Sequence, residues 1–394
     1  MFFITLISAR LLSQYEFGLY SFIRSTVIYG DSLATNTYGL ILLRNTSSEK
    51  HNPSIVEQFI VSSLAVGAAY VLLISILGCT LFYLQQSSFN PGNIAVINIY
   101  IIGSLMLLFS VESSFLNSAL IGLHVYNVLA LIGIFNIAVM VPVSIYLVSM
   151  YSLRGALLSV SIFFLLDFAI KLYSLANFGY IRFRKIDFGI YKKKAVLCVK
   201  ESIPLIGGVI VNGGAFWLGR LILLSRPGGP ESIAIFDVSF QWLSLLMLIS
   251  NSIISVIYSK MSRDPNRLAN NVNHNRDLLL LLSVTGIMAL CSILLSKNIL
   301  LIYGEKYLDG TNVFLWMCVA SIFFTGALFH NRVMLVRKRS KYLLYSSLVS
   351  GISMHMVYYI VGYTSVGMAI SVCAYYFSNM MFYMALEYKY ACSS

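Results

Sequence analysis

Runs of apolar residues long enough to cross a bilayer recur along almost the whole chain. They fall at about 17–43, 54–84, 95–120, 126–149, 154–178, 202–225, 232–258, 277–296, 311–330, 342–362 and 365–386. Each reaches the roughly 20 residues that a helix needs to cross hydrocarbon. The pattern therefore predicts eleven membrane-spanning helices. A further apolar run at 1–9 would rise only about 14 Å as a helix, half a bilayer. The expected fold class is all-α, a polytopic membrane protein.

Composition agrees with that reading. Of 394 residues, 58% are apolar and 11% charged, with a mean hydropathy of +0.82. An ordinary soluble domain is roughly 25% charged. A soluble enzyme, a disordered chain and a nucleic-acid-binding domain are thereby excluded. The net charge of +12 must then be read by sides of a membrane rather than as a surface for DNA or RNA. Nineteen of the 27 Lys and Arg residues fall in alternate linkers and the C-terminal tail, and most cluster in 178–202, 258–277 and 330–342. The intervening linkers hold only Arg10, Arg154, Arg226, Lys297 and Lys306. Such alternation predicts that the basic loops and the C-terminus face the cytoplasm. The opposite linkers are short, leaving no room for an extramembrane domain.

Site chemistry is not suggested by cysteine or histidine. Cys79, Cys198, Cys291, Cys318, Cys373 and Cys392 are scattered without CxxC spacing. His51, His124, His274, His330 and His355 lack HExxH spacing. Neither a metal nor a cofactor is expected. Met1 runs into Phe2-Phe3-Ile4-Thr5-Leu6 with neither a basic flank nor a small-residue cleavage site.

The largest basic stretch divides the chain near its middle. The expected organisation is an N-terminal lobe at 1–178, a basic cytoplasmic linker at 179–201 and a C-terminal lobe at 202–394. Five full spans precede the linker and six follow. If 1–9 is the tail of a complete helix, the chain has two pseudo-symmetric six-helix lobes with its first helix truncated. A genuine eleven-span chain with a short re-entrant piece is the alternative. A faint internal repeat favours equal halves. Ala9-Arg10-Leu11-Leu12-Ser13 with Phe17-Gly18-Leu19-Tyr20 matches Arg220-Leu221-Ile222-Leu223-Leu224-Ser225 with Ala234-Ile235-Phe236-Asp237. Ala234 stands where the first copy has Gly18, so the second turn is expected to differ in shape.

Those residues also carry a family resemblance. Ala9-Arg10-Leu11-Leu12 followed by Glu16-Phe17-Gly18-Leu19-Tyr20 resembles the opening motif of the Wzx-type O-antigen and polysaccharide flippases. These form the polysaccharide branch of the multidrug, oligosaccharidyl-lipid and polysaccharide exporter superfamily. Asn117-Ser118-Ala119-Leu120-Ile121-Gly122-Leu123-His124, Lys200-Glu201-Ser202-Ile203-Pro204-Leu205 and Tyr303-Gly304-Glu305-Lys306-Tyr307 resemble later segments in the family's order. The motifs are short and apolar, and their specificity lies in their succession. The resemblance implies a twelve-helix, two-lobe transporter and no enzyme. It would carry an undecaprenyl-diphosphate-linked oligosaccharide outward across the bacterial inner membrane. Membrane lipids, and the polymerase and chain-length proteins of the pathway, would be its partners. A drug or metabolite exporter of the same superfamily, and an integral-membrane polysaccharide polymerase, are the alternatives.

Charges inside spans are costly, about 2.5–3.5 kcal/mol each even on insertion scales. Seven stand out: Arg24, Asp31, Glu112, Asp167, Lys171, Arg220 and Asp237. Arg24, Asp31, Thr35 and Tyr38 share one face of a uniform α-helix. That face reads either as a cavity wall, with Arg24 offering a fork to a diphosphate, or as a neutralising Arg24–Asp31 pair. Asp237, Gln241, Ser244 and Asn251 make a second polar face, with Arg220 and Asn212 on the helix before it. These are further cavity candidates, although Arg220 could instead snorkel to the interface. Trp217 and Trp242 read as packing or interface anchors. Asp167 and Lys171, four residues apart, read as a structural pair. Glu112 has no partner on its own helix and reads either as a protonated, silent acid or as a site of ion coupling.

Overall fold

A computed structural model describes residues 2–85, 94–181, 188–263, 271–336 and 341–391. Every regular element among them is helical. In hydrocarbon, backbone N–H and C=O groups must be paired within the segment, and a helix does this. In chain order the elements are α1 (Phe2–Leu11), α2 (Gln14–Ala34), a π-helical turn (Thr35–Gly39) and α3 (Leu40–Ser48). Then come α4 (Pro53–Gln85), α5 (Ile94–Gly122), α6 (Tyr126–Asn177), α7 (Phe188–Leu224) and α8 (Gly229–Arg263). The rest are α9 (Asn271–Leu294), α10 (Ser296–Tyr303), a 3-10 turn (Glu305–Gly310), α11 (Thr311–Val336), α12 (Lys341–Val361) and α13 (Ser365–Ala391).

Among the described residues nine helices are long and apolar enough to cross a membrane. One of them, α6, is two spans. Its helical path breaks at Ser152, where φ is 46° and ψ is −127°. Asn136 donates to Asp167 at 2.7 Å although 31 residues separate them. A straight helix would hold those two about 46 Å apart, so the chain reverses at Ser152. Gly155 makes that reversal tight: a Cβ there would lie 1.9 Å from the Leu147 carbonyl oxygen. The expected span at 17–43 falls on α2, the π turn and α3, which are not among those nine. Both expected spans at 126–149 and 154–178 are therefore present.

Contacts divide the chain into two compact units. Unit 1 holds Met1–Leu12 and Ile23–Ile210; unit 2 holds Ser13–Phe22 and Val211–Ser394. This differs from the division at 178 and 202. The boundary lies inside α7, which runs unbroken from Phe188. Of the stretch read as a linker, 182–187 lies outside the described residues and the remainder from Phe188 is helix. Basic residues mark a side of the membrane, but they do not mark where packing changes partners.

In unit 1, α5 packs against α3, the π turn, α4 and α6, and α1 packs against α6. Tyr38 of the π turn is buried with its ring 5.2 Å from Phe115 of α5. In unit 2, α13 lies on α11 and α12, and α11 on α8 and α9. Phe236, Leu243, Met317, Tyr358, Met368 and Tyr375 fill its core. The first turns of α2 belong to this unit. Ser13 and Glu16 form a capping box: Ser13 N–H and Oγ donate to Glu16 Oε2 at 3.1 and 2.9 Å, and Glu16 N–H donates to Ser13 Oγ at 3.2 Å. Phe17 is fully buried and meets Tyr307 edge-on at 6.0 Å. Gly18 lets the backbone of α2 touch Pro230 at the start of α8. A Cβ at Gly18 would sit 1.8 Å from the Pro230 carbonyl oxygen.

Candidate functional site in the membrane-spanning helices

Most polar side chains inside these helices donate to the carbonyl three or four residues back, as Ser63, Thr46 and Ser239 do. That satisfies a hydroxyl without any partner helix. The charged residues cannot be accommodated in this way, and each has a different solution.

In unit 1, Asp31 accepts from Thr35 Oγ1 at 2.8 Å and from Ser114 Oγ of α5 at 3.2 Å. Thr35 also donates to the Asp31 carbonyl, inside the first π-helical turn. The π turn adds a residue to the local period. The face shared by Arg24, Asp31 and Thr35 therefore does not continue to Tyr38, which turns into the core against Phe115. Arg24 does not pair with Asp31. No described residue forms an ion pair with Arg24, and its Nε is buried without a hydrogen-bond partner.

Asp167 is a hub. Lys171 Nζ lies 2.5 Å from its Oδ2, Asn136 Nδ2 donates to its Oδ1 at 2.7 Å, and Ser113 Oγ donates to its Oδ2. Lys171 also donates to Ser113 at 3.1 Å. The pair is thus bound into a network spanning α5 and both arms of α6. Asn136 and Ser113 were not singled out from the sequence. The visible signal for Asn136 was a lone amide in an apolar span. Glu112, one residue before Ser113, is 6% exposed and has no partner on either carboxylate oxygen.

In unit 2, Arg220 Nε and a terminal nitrogen both donate to Asp237 Oδ1, at 3.0 and 2.8 Å. The guanidinium also lies over the rings of Phe236 and Phe240, 5.2 and 4.9 Å from their centroids. Both charges are buried, so Arg220 does not snorkel. Asn212 accepts from Tyr375 OH at 3.0 Å. Gln241 is buried with neither amide atom paired. Below it on α8, an open groove of about 620 Å³ is lined by Phe240, Ser244, Met247, Leu248, Asn251 and Ser252. Its lining carries no charge. Trp242 Nε1 donates to Ser292 Oγ at 2.9 Å, tying α8 to α9. Sequence reasoning missed one further pair: His330 Nδ1 of α11 lies 3.0 Å from Glu387 Oε1 of α13. Glu387 lay beyond the last apolar run, and only the continuation of α13 to Ala391 brings it to His330.

Near the start of α7, Arg44 of α3 meets Glu201 at 2.5 Å in an exposed ion pair. Asn45 Nδ2 donates to the buried Cys198 sulfur at 3.5 Å. Burial pushes the Cys198 thiol up, against the lowering effect of its hydrogen bonds with Tyr38 and Asn45. Among the described residues no group of three or more His, Cys, Asp and Glu could hold a metal ion.

Among the described residues the arrangement thus offers an unpaired cation on α2, an unpaired acid on α5 and an uncharged groove on α8. The polysaccharide biosynthesis protein family, as a sequence profile, matches residues 1–263. The chain belongs to that family. No curated protein matches it by sequence. Among solved structures it is similar to a multidrug resistance MATE family transporter of the MOP superfamily in an inward-facing conformation. The TM-score is 0.77 at 12% identity, covering 97% of this chain and 92% of the other. It is also similar to the lipid II flippase MurJ in an inward closed conformation, with a TM-score of 0.73 at 17% identity and coverages of 97% and 84%. A mutant of the Vibrio cholerae MATE transporter VcmN gives a TM-score of 0.64 at 12% identity, with coverages of 98% and 91%. At these identities the likeness is one of fold. The family member described here is a multi-pass, all-helical membrane protein with the fold of these transporters.

Proposed function

We propose that this protein is a flippase for an undecaprenyl-diphosphate-linked oligosaccharide, an O-antigen repeat unit. It carries its cargo from the cytoplasmic to the periplasmic leaflet of the bacterial inner membrane by alternating access. Membership of the polysaccharide biosynthesis family supports a saccharide cargo. A fold shared with a protein described as a lipid II flippase supports a lipid-linked one. The observation that carries the reading is Arg24, an arginine within a membrane helix that no described residue neutralises. Such a charge is expensive unless a ligand or water repays it, and a guanidinium matches the paired oxygens of a diphosphate. The uncharged groove on α8 supplies hydroxyls and an amide beside Phe240, a surface suited to sugar rings. The prenyl chain stays in lipid throughout. Nineteen basic residues in alternate linkers and the C-terminal tail support a cytoplasmic C-terminus. The same groove, with its apolar Met247 and Leu248, favours a small-molecule exporter as second reading.

Deleting the gene tests the proposal. Complete repeat units on undecaprenyl diphosphate should accumulate at the inner face, with no surface polymer. Accumulation of flipped but unpolymerised units would instead indicate a polymerase. Unchanged surface polymer, with heightened drug sensitivity, would favour the exporter. Arg24→Gln should lower surface polymer at constant protein level. A lost charge-assisted contact of about 1.5–3 kcal/mol corresponds to a fall of roughly tenfold or more.

A further inference from the structure

Four of the seven span charges singled out from the sequence are acids: Asp31, Glu112, Asp167 and Asp237. Three are held. Asp31 has Thr35 and Ser114, Asp167 has Lys171, Asn136 and Ser113, and Asp237 has Arg220. Glu112 alone has nothing on either oxygen, and it is among the most enclosed of them.

Its surroundings are specific. Glu112 lies on α5 and faces Gly67 of α4: a Cβ on Gly67 would sit 2.6 Å from Glu112 Oε1 and 3.1 Å from the Phe115 ring. The carboxyl therefore occupies the space that any side chain at position 67 would take. Consecutive residues on a helix point about 100° apart. Accordingly Ser113 turns to Asp167 and Lys171 of α6, and Ser114 turns to Asp31 of α2. The π turn brings Tyr38 over Phe115, and Tyr70 of α4 donates to the Gly30 carbonyl at 2.8 Å. None of these titratable or charged groups reaches Glu112.

We propose that Glu112 is a proton-binding site of the transport cycle, a carboxylic acid that holds its proton while α4 and α5 are closed over it. This rests on the transporter reading above. A carboxylate here would have no donor and no counter-charge, and burying one costs far more than burying the neutral acid. A sodium ion would need several oxygen ligands, and among the described residues none reaches this carboxyl; a proton needs no further ligand. Ionisation breaks the Glu112 O–H bond, passes the proton to water and leaves the carboxylate behind. That charge is tolerated only when water enters the seam between α4 and α5. Proton release is thereby linked to the opening of that seam.

The test is pH-titrated infrared difference spectroscopy of the full chain in lipid nanodiscs, with and without sodium. Wild type should show a neutral-acid C=O stretch at neutral pH that Glu112→Gln removes and that sodium does not alter. Gly67→Ala, which crowds the carboxyl without deleting it, should shift that band. In cells, collapsing the pH gradient should lower surface polymer in wild type and leave Glu112→Gln at a constant, low level. A band insensitive to Glu112→Gln, or one displaced by sodium, would overturn the proposal. The infrared measurement does not depend on transport. A clear Glu112 band in a protein whose deletion spares surface polymer would sink the flippase reading and leave the proton site standing.

Discussion

Charges buried in unit 1 and unit 2 are handled in opposite ways. In unit 2, Arg220 is matched by Asp237 and two aromatic rings, and the Glu387 carboxylate lies 3.0 Å from His330 Nδ1. In unit 1, Lys171 and Asp167 are matched within a four-residue network, yet Arg24 is left without a counter-charge and the Glu112 carboxyl without a hydrogen-bond partner among the described residues. A paired charge is explained by the fold, since its partner offsets the loss of water. An unpaired one is a standing cost that stability does not explain. The difference teaches where to look for cargo and for the driving ion, namely among the residues whose removal should not weaken the protein.

Substitutions can break that comparison, and the largest effect should come from unit 2. Asp237→Ala leaves Arg220 buried without its counter-ion and should cost about 3–5 kcal/mol, read as a lower unfolding temperature in detergent. Replacing both partners, Arg220→Met with Asp237→Leu, should recover most of the loss. If the single change is silent, the pair does not account for the burial of Arg220. Next comes Gly18→Leu. The Pro230 carbonyl leaves no space for a side chain, and the overpacking should cost about 1–3 kcal/mol. Gly133→Ala on α6, where a Cβ meets nothing within 4 Å, is the control and should be neutral or slightly stabilising. Arg24→Gln should leave the unfolding temperature unchanged or raise it while export falls. A large loss of stability would mean that Arg24 is structural, and the contrast between the units would fail. The smallest effect belongs to the exposed pair. Arg44→Ala removes a contact whose side chains are 64% and 36% exposed, and should cost no more than about 1 kcal/mol.

Much of the fold was legible before any coordinates. A span announces itself because the transfer of about twenty apolar residues into lipid is a local property of composition. Even the hairpin inside α6 was visible, as two apolar runs separated by Met150-Tyr151-Ser152-Leu153. The site was only half legible. That seven charges stand inside spans follows from the sequence; which of them are neutralised does not. The alternative that Arg24 and Asp31 neutralise each other across two turns does not hold, since they form no ion pair. Arg220 and Asp237 were read as separate cavity candidates and are joined. The shared face through Tyr38 assumed a uniform period, and the π turn at Thr35–Gly39 breaks it.

By itself, then, the sequence determined the solvent this protein lives in, where most of its apolar helices run, and which charged residues lie within them. Those follow from hydropathy and helical rise, which need only neighbours along the chain. Tertiary structure decided the partners: Ser113 and Asn136 for Asp167, Glu387 for His330, and none for Glu112. Electrostatic cost depends on distance through space, and residues 31 or 54 positions apart come within hydrogen-bond reach only once the helices have packed.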